Sequence, residues 1–196
     1  MARTATTPER LPFTGDDEAN RLIAADPVAL LIGFALDQQV TVQKAFGGPL
    51  ELRKRLGHLD AARIAATDPD ELAGVFRERP ALHRFPGAMA ERVRALCAFL
   101  DERYAGDAAR LWREAESGKD LRARLAELPG FGEMKVRTVL TLLARQFGVN
   151  PPGIEELLPE HLTLGDVRTA EELAAYQAHK RAAKAARRAA AADGAS

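Results

Sequence analysis

A single cysteine, Cys97, stands in 196 residues. One thiol excludes an intrachain disulfide and any multi-cysteine metal centre. Cys97 shares an apolar helical face with Val93, Leu96 and Leu100, so it is expected as a buried small hydrophobe. The chain also lacks net charge: 28 Lys and Arg balance 28 Asp and Glu. Strong non-specific nucleic-acid binders are usually basic, so the balance argues mildly against one, but a local basic face remains open. The four histidines, His58, His83, His161 and His179, show no metal-ligand spacing and are expected at the surface or in caps. No long hydrophobic run exists. The longest, Val28 to Leu36, is too short to cross a bilayer, and Met1 to Arg10 is polar and lacks a signal peptide's apolar core. A cytoplasmic protein with no membrane partner is expected.

What is present is apolar periodicity. Hydrophobic residues make up 46% of the chain, enough for one compact domain or two tightly joined lobes. The most informative stretch runs from Leu121 to Phe147. Leu121, Leu125 and Leu128 recur at helical spacing, and Val136, Val139, Leu140 and Leu143 do so again. Between them lies Leu128-Pro129-Gly130-Phe131-Gly132, a very short turn, so the pattern predicts an αα-hairpin. Gly130 and Gly132 can take positive φ and carry no Cβ, which lets another molecule approach the backbone. The second helix starts near Gly132. Its first amides have no intrahelical partner and sit at the positive end of the helix dipole. With Lys135 and Arg137 just inside, the turn makes a site suited to a phosphate.

Before the hairpin, Asp16 to Ala25 reads as a short helix after a loose Met1 to Thr14. Asp26-Pro27 is a helix start, and Pro27 to about Gln38 is apolar on nearly all sides, as a central core helix is. It ends in Leu36-Asp37-Gln38-Gln39-Val40-Thr41, where polar residues face a cleft or merely cap the helix. Asp37 there is either a functional carboxylate or the holder of a backbone amide. Gly47-Gly48-Pro49 predicts a break, followed by a short basic helix, Leu50 to Leu56, with Arg53, Lys54 and Arg55 on a solvated face. Leu59 to Ala66 and Asp68 to Arg79 are two further helices. The loop Pro80 to Gly87 leads into a helix from about Ala88 to Tyr104. Asp107 to Glu116 holds the only tryptophan, Trp112, expected in packing. Phe147 to Gly153 is rich in Gly and Pro and stops the hairpin's second helix. The alanine-rich stretch Glu171 to Ala192 reads as a long helix, basic through His179, Lys180, Arg181, Lys184, Arg187 and Arg188. It either lies along DNA or is a solvated, frayed helix.

Leu-Pro-Gly-Phe-Gly followed by an apolar helix resembles the DNA-binding element of the helix-hairpin-helix-GPD superfamily of DNA glycosylases. Leu36 to Thr41 resembles the Leu-Leu-x-x-Gln stretch of that family, and Phe85-Pro86-Gly87-Ala88-Met89-Ala90-Glu91 resembles its aromatic loop and helix start, with Met89 where Lys often stands. The resemblance spans Val28 to Gly153 and extends to short actinobacterial-type proteins described as base-excision repair proteins of this superfamily. It implies an all-α, two-lobed helical fold with a helix-hairpin-helix element. The implied organisation is a flexible N-terminus over 1–15, a glycosylase-like domain over 16–169 with its hairpin at 119–147, and a basic tail over 170–196.

The function so implied is base-excision repair: a damaged base is flipped out of double-stranded DNA and its N-glycosidic bond hydrolysed. Gly130, Gly132, Lys135 and Arg137 would hold phosphates. Gln39 would fill the gap left by the base, and His83 and Arg84 would lie near the DNA. The family's Asp after the Gly/Pro loop is missing, so Glu155 is the expected catalytic carboxylate, with Glu156 and Asp166 as alternatives. Bifunctional relatives place a nucleophilic Lys two residues after the second Gly, and here that position is Met134. Lys135 lies about 100° further around the helix and is expected to point elsewhere. A monofunctional glycosylase without strand cleavage follows, acting as a monomer. No metal or organic cofactor is expected, nor the four-cysteine iron–sulfur cluster of endonuclease-III-like relatives. The alternative is a non-catalytic DNA-binding or damage-recognition protein on the same scaffold.

Overall fold

The computed structural model describes residues 7–193, with side chains to residue 186. Arg187 and Arg188 therefore lie outside the described side chains. The chain is all-helical, 65% helix, with no strand among the described residues. No single helix among them is long and apolar enough to cross a membrane.

The chain is anchored earlier than its polar start predicts. Leu11 and Phe13 are fully buried. Phe13 meets Phe46 edge to face, ring centroids 4.9 Å apart. The Leu11 amide donates to the Asn20 carbonyl at 3.0 Å, and the Thr14 amide to Asn20 Oδ1 at 2.9 Å. Two apolar residues in a polar segment have no periodicity to reveal them, and only the partners folded against them make them core. The expected looseness up to Thr14, and a flexible N-terminus over 1–15, is corrected from Leu11 onward.

Helix α1 (Asp17–Ala25) begins at an Asp16 cap, and α2 (Pro27–Leu36) at Asp26, whose Oδ1 accepts from the amides of Val28 and Ala29 at 2.8 and 3.2 Å. Such a cap contributes about 1 kcal/mol. Every α2 residue from Val28 to Leu36 is buried, and α2 touches α1, α3 and α6. Helix α3 (Val42–Leu56) is continuous through Gly47, Gly48 and Pro49, so the predicted break does not occur. The glycines serve close approach instead. A Cβ on Gly48 would stand 2.5 Å from Leu36 Cδ1, and one on Gly33 2.5 Å from Phe46 Cδ1. The burial this brings to Phe46, Pro49 and Leu36 offsets the hydrogen bond that Pro49 forgoes.

Helices α4 (Ala61–Ala66) and α5 (Pro69–Arg77), capped by Asp60 and Asp68, pack on the long α6 (Pro86–Tyr104). A single turn, α7 (Arg110–Arg113), carries buried Trp112. Helices α8 (Gly118–Ala126) and α9 (Glu133–Arg145) form the αα-hairpin the spacing predicts. Two 3-10 turns follow, Glu155–Leu157 and Leu164–Asp166, and then α10 (Ala170–Asp193). Cys97 is fully buried, and burial raises its thiol pKa to about 12.

Candidate functional site

Three stretches far apart in the sequence meet at one place. The first is the end of α2. Its C-terminal carbonyls lack helical partners, and the chain leaves through Asp37, Gln38 and Gln39. Gln39 has φ +57 and is exposed, an uncommon conformation for a residue other than glycine. It stands at the apex of this turn. Gln38, by contrast, is engaged: its Oε1 accepts from Arg92 Nη1 on α6.

The second stretch is the loop before α6. Arg55 fixes its approach by donating to the carbonyls of Val75 (2.6 Å), Glu78 (3.0 Å) and Pro80 (2.8 Å). Its side chain is only 6% exposed. It is a brace for the loop and not part of the solvated face expected for Arg53, Lys54 and Arg55. Lys44 Nζ adds a bond to the Ala81 carbonyl at 2.6 Å. His83, expected at the surface or in a cap, is 1% exposed. Its Nδ1 accepts from the Phe85 amide at 3.0 Å, so Nε2 carries the proton and donates to the Gln38 carbonyl at 2.9 Å. Burial, above all, lowers the His83 pKa, which keeps the ring neutral and in this tautomer. Arg84 and Phe85 stay exposed beside it, the guanidinium 4.8 Å from the ring centroid.

The third stretch is the hairpin turn. Gly130 has φ +80, and a Cβ there would stand 2.9 Å from Arg92 Cδ. Arg92 thus lies across the turn while holding Gln38, and His83 ties the loop before α6 to the same Gln38. Gly132 takes φ −82 and is the N-cap of α9. Its value is its missing side chain: no side-chain cap satisfies the first amides of α9. Glu133 opens that helix and is held by Arg122 at 3.0 Å and Arg137 at 3.3 Å. Arg137, expected to hold a phosphate, is exposed and paired with Glu133 within its own helix.

Beside this junction is a cleft of about 710 Å³. Phe34 and Asp37 come from α2, and Met134, Lys135 and Thr138 from α9. The loop His161–Leu164 and the α10 residues Tyr176, His179, Lys180, Ala183 and Lys184 close the other sides. Lys135 does not point elsewhere, as the helical register predicts. Its side chain lines the cleft with Asp37, and Nζ lies 3.4 Å from the Ala35 carbonyl, one of α2's unsatisfied C-terminal acceptors. Met134 is 69% exposed at the rim. Two adjacent positions diverge by about 100°, but the end of α2 sits against α9 so that both reach one opening.

Burial dominates the electrostatics of this pair. It raises the Asp37 pKa, with Lys180 and Lys135 pulling it back through space. It lowers the Lys135 pKa from 10.5 to about 8, opposed by Asp37 and assisted by Arg92. Half of the Lys135 amine is then neutral at pH 8, against well under ~1% for an ordinary lysine. Lys135 is expected to react with an amine-acylating reagent roughly tenfold to a hundredfold faster than exposed Lys119 at that pH. Below pH 8 its reactivity falls as the amine protonates. Asp37→Asn removes the charge that favours protonation, so it should move the midpoint below 8. Peptide mapping of competitive labelling between pH 6 and 11 measures this, and a Lys135 midpoint near 10.5 would refute it.

The carboxylates expected to act are elsewhere. Glu155 and Glu156 are exposed on the 3-10 turn Glu155–Leu157. That turn follows Ile154, whose backbone presses against Gly118: a Cβ on Gly118 would stand 2.5 Å from Ile154 Cα. Gly118 begins α8, and the hairpin turn lies at that helix's other end, roughly 13 Å away at 1.5 Å per residue. Neither glutamate lines the cleft. Asp166 is consumed structurally. It pairs with Arg145 and accepts from the Thr163 amide and hydroxyl at 2.7 and 3.0 Å in a capping box. The carboxylate the cleft does contain is Asp37, which the sequence places in a polar cluster without deciding its role. Arg92 gave no signal at all, being one of several arginines on α6. Among the described residues no three His, Cys, Asp or Glu side chains come together as a metal site would need.

Compared with models of protein families, with curated proteins and with solved structures, the chain matches none.

Proposed function

We propose that this chain is a base-excision DNA glycosylase that acts on an everted nucleotide in duplex DNA, as a monomer in the cytoplasm. The observation that carries this reading is the convergence of the His83–Phe85 loop and, through Arg92, the Gly130 hairpin turn on Gln38 beside Gln39, next to a cleft holding Asp37 and Lys135. In this reading the helix-hairpin-helix element joins two helical lobes and offers the free amides of α9 to a phosphate. Gln39, turned outward by its positive φ, fills the gap left by the base.

The cleft would receive the nucleotide. As the C1′–N bond breaks, its electron pair leaves with the base and positive charge grows on the sugar. A carboxylate stabilises that charge or takes a proton from the water that adds to C1′. Asp37 takes this role in place of Glu155, and burial makes it the stronger base. No step calls for a metal or organic cofactor.

Lys135 favours a second reading, in which the same site also cleaves the strand. A neutral amine adds to the C1′ aldehyde of the abasic sugar, water leaves, and the imine allows elimination of the 3′ phosphate. The amine near pKa 8 in the cleft supports this and removes the register argument against it.

Labelled duplexes carrying uracil, 8-oxoguanine, alkylated purines or oxidised pyrimidines test both readings. Strand breaks appearing only after alkali are the result expected of base hydrolysis alone. Breaks without alkali, with protein trapped on DNA by borohydride and lost in Lys135→Ala, would establish the second reading. Tight binding with no base released from any lesion would leave the non-catalytic reader.

A further inference from the structure

Among the described side chains, helix α10 is held to the body near its start. Leu173 is buried, Tyr176 and Gln177 are half-buried, and Gln177 exchanges side-chain hydrogen bonds with Gln43 on α3 at 2.9 and 3.2 Å. From Ala178 to Ala186 every side chain is exposed, so apolar burial does not explain why this stretch lies along the cleft. Charge does. Tyr176, Lys180 and Lys184 recur every four residues and share one face, and all three line the cleft. Lys180 Nζ stands 5.4 Å from the Tyr176 ring centroid, which orients the ammonium. Across the opening, Asp37 feels Lys180 as its strongest opposing charge, ahead of Lys135. Arg181 is exposed on α10 but does not line the cleft.

We propose that α10 is the phosphate-binding wall of this cleft, with Lys180 and Lys184 each holding one phosphate of the strand that carries the everted nucleotide. This rests on the DNA reading above. The two ammonium groups spring from Cα atoms about 6 Å apart along the helix, close to the spacing of neighbouring phosphates on one strand. Ala183 between them keeps the mouth open. Leu162, 73% exposed, and Tyr176 flank it with apolar surface of the kind a base stacks on.

Fluorescence anisotropy of a short duplex bearing one central tetrahydrofuran abasic analogue, titrated with salt, tests this. Lys180→Ala/Lys184→Ala should weaken binding and flatten the plot of log affinity against log salt by about 1.8, two phosphate contacts at ~0.9 each. Alanine keeps α10 helical, and circular dichroism verifies it. Arg181→Ala, equal in charge per residue but off the cleft face, should leave the slope nearly unchanged. A double variant with the wild-type slope overturns the proposal while leaving DNA binding intact. So does an Arg181→Ala effect as large as that of either lysine alone, since the tail would then be a diffuse basic surface. If the wild-type protein binds no duplex at any salt concentration, the DNA reading falls and this proposal falls with it.

Discussion

Under the proposed glycosylase function, Asp37→Asn is expected to lower base release roughly 10²- to 10⁴-fold, the range for losing a positioned acid–base or charge-stabilising group. Asparagine keeps the shape and removes the charge. The end of α2 is held through the Gln38 carbonyl by His83 and through the Gln38 side chain by Arg92, so the turn should survive. Duplex affinity should hold or rise, because the variant removes a negative charge from a cleft faced by Lys135, Lys180 and Lys184. That combination, a lost rate with retained affinity, separates a chemical role from a structural one. Glu155→Gln and Glu156→Gln should act at the wild-type rate, being exposed away from the cleft. Single-turnover base release on the lesion identified by the duplex panel measures all three. Wild-type turnover by Asp37→Asn, or a collapse in Glu155→Gln, would return the search to the segment after the hairpin.

Gly165→Ala is expected to destabilise the fold by about 2–4 kcal/mol. Gly165 is buried in the 3-10 turn Leu164–Asp166, against the middle of α9. A Cβ there would stand 2.5 Å from the Leu142 nitrogen and 2.8 Å from the Thr138 carbonyl oxygen. Both are helix backbone and yield little. The turn is pinned as well, since Gln146 Nε2 donates to the carbonyls of Gly165 and Val167 at 2.8 and 2.9 Å. The melting temperature should fall by roughly 5–15 °C for a chain of this size. Gly74→Ala is the matched control. Gly74 sits exposed inside α5 with nothing within 4 Å of its would-be Cβ, so alanine there should stabilise by about 0.5–1 kcal/mol. Thermal melts of both variants decide it. An undamaged Gly165→Ala would mean that the turn moves freely on α9. The cleft wall His161–Leu164, which the turn carries, would then be less rigid than drawn above.

Much of the local structure was legible because its causes are local. Asp26 and Asp68, each followed by a proline, cap the helices they precede through their own side chains and amides two or three residues on. The hairpin followed from leucine and valine spacing and a turn holding Pro129, Gly130 and Gly132. The break that Gly47-Gly48-Pro49 predicts does not form, because those residues are local signals with a tertiary purpose. Leu36 and Phe46 exploit the bare helix surfaces, and nothing in the α3 sequence announces Leu36. Arg55 and His83 were placed at the surface for the same reason. Composition puts Arg and His outside, and only the carbonyls of Val75, Glu78, Pro80 and Gln38 bring them in.

The sequence alone determined that this is a chain of helices around one wholly apolar helix, with a glycine turn between two of them. Those properties depend on contacts within a few residues and on the period of the helix. Tertiary structure decided the site. Residues 37, 92, 130, 135 and 180 come from three helices and two turns, and no periodicity links them. Lys135 shows why that matters. Its position on α9 fixes its direction relative to Met134, but whether that direction leads to solvent or to a carboxylate depends on where α2 ends. The placement of the end of α2 beside Lys135 sets that, and with it the desolvation that moves Asp37 and Lys135 away from their ordinary charge states.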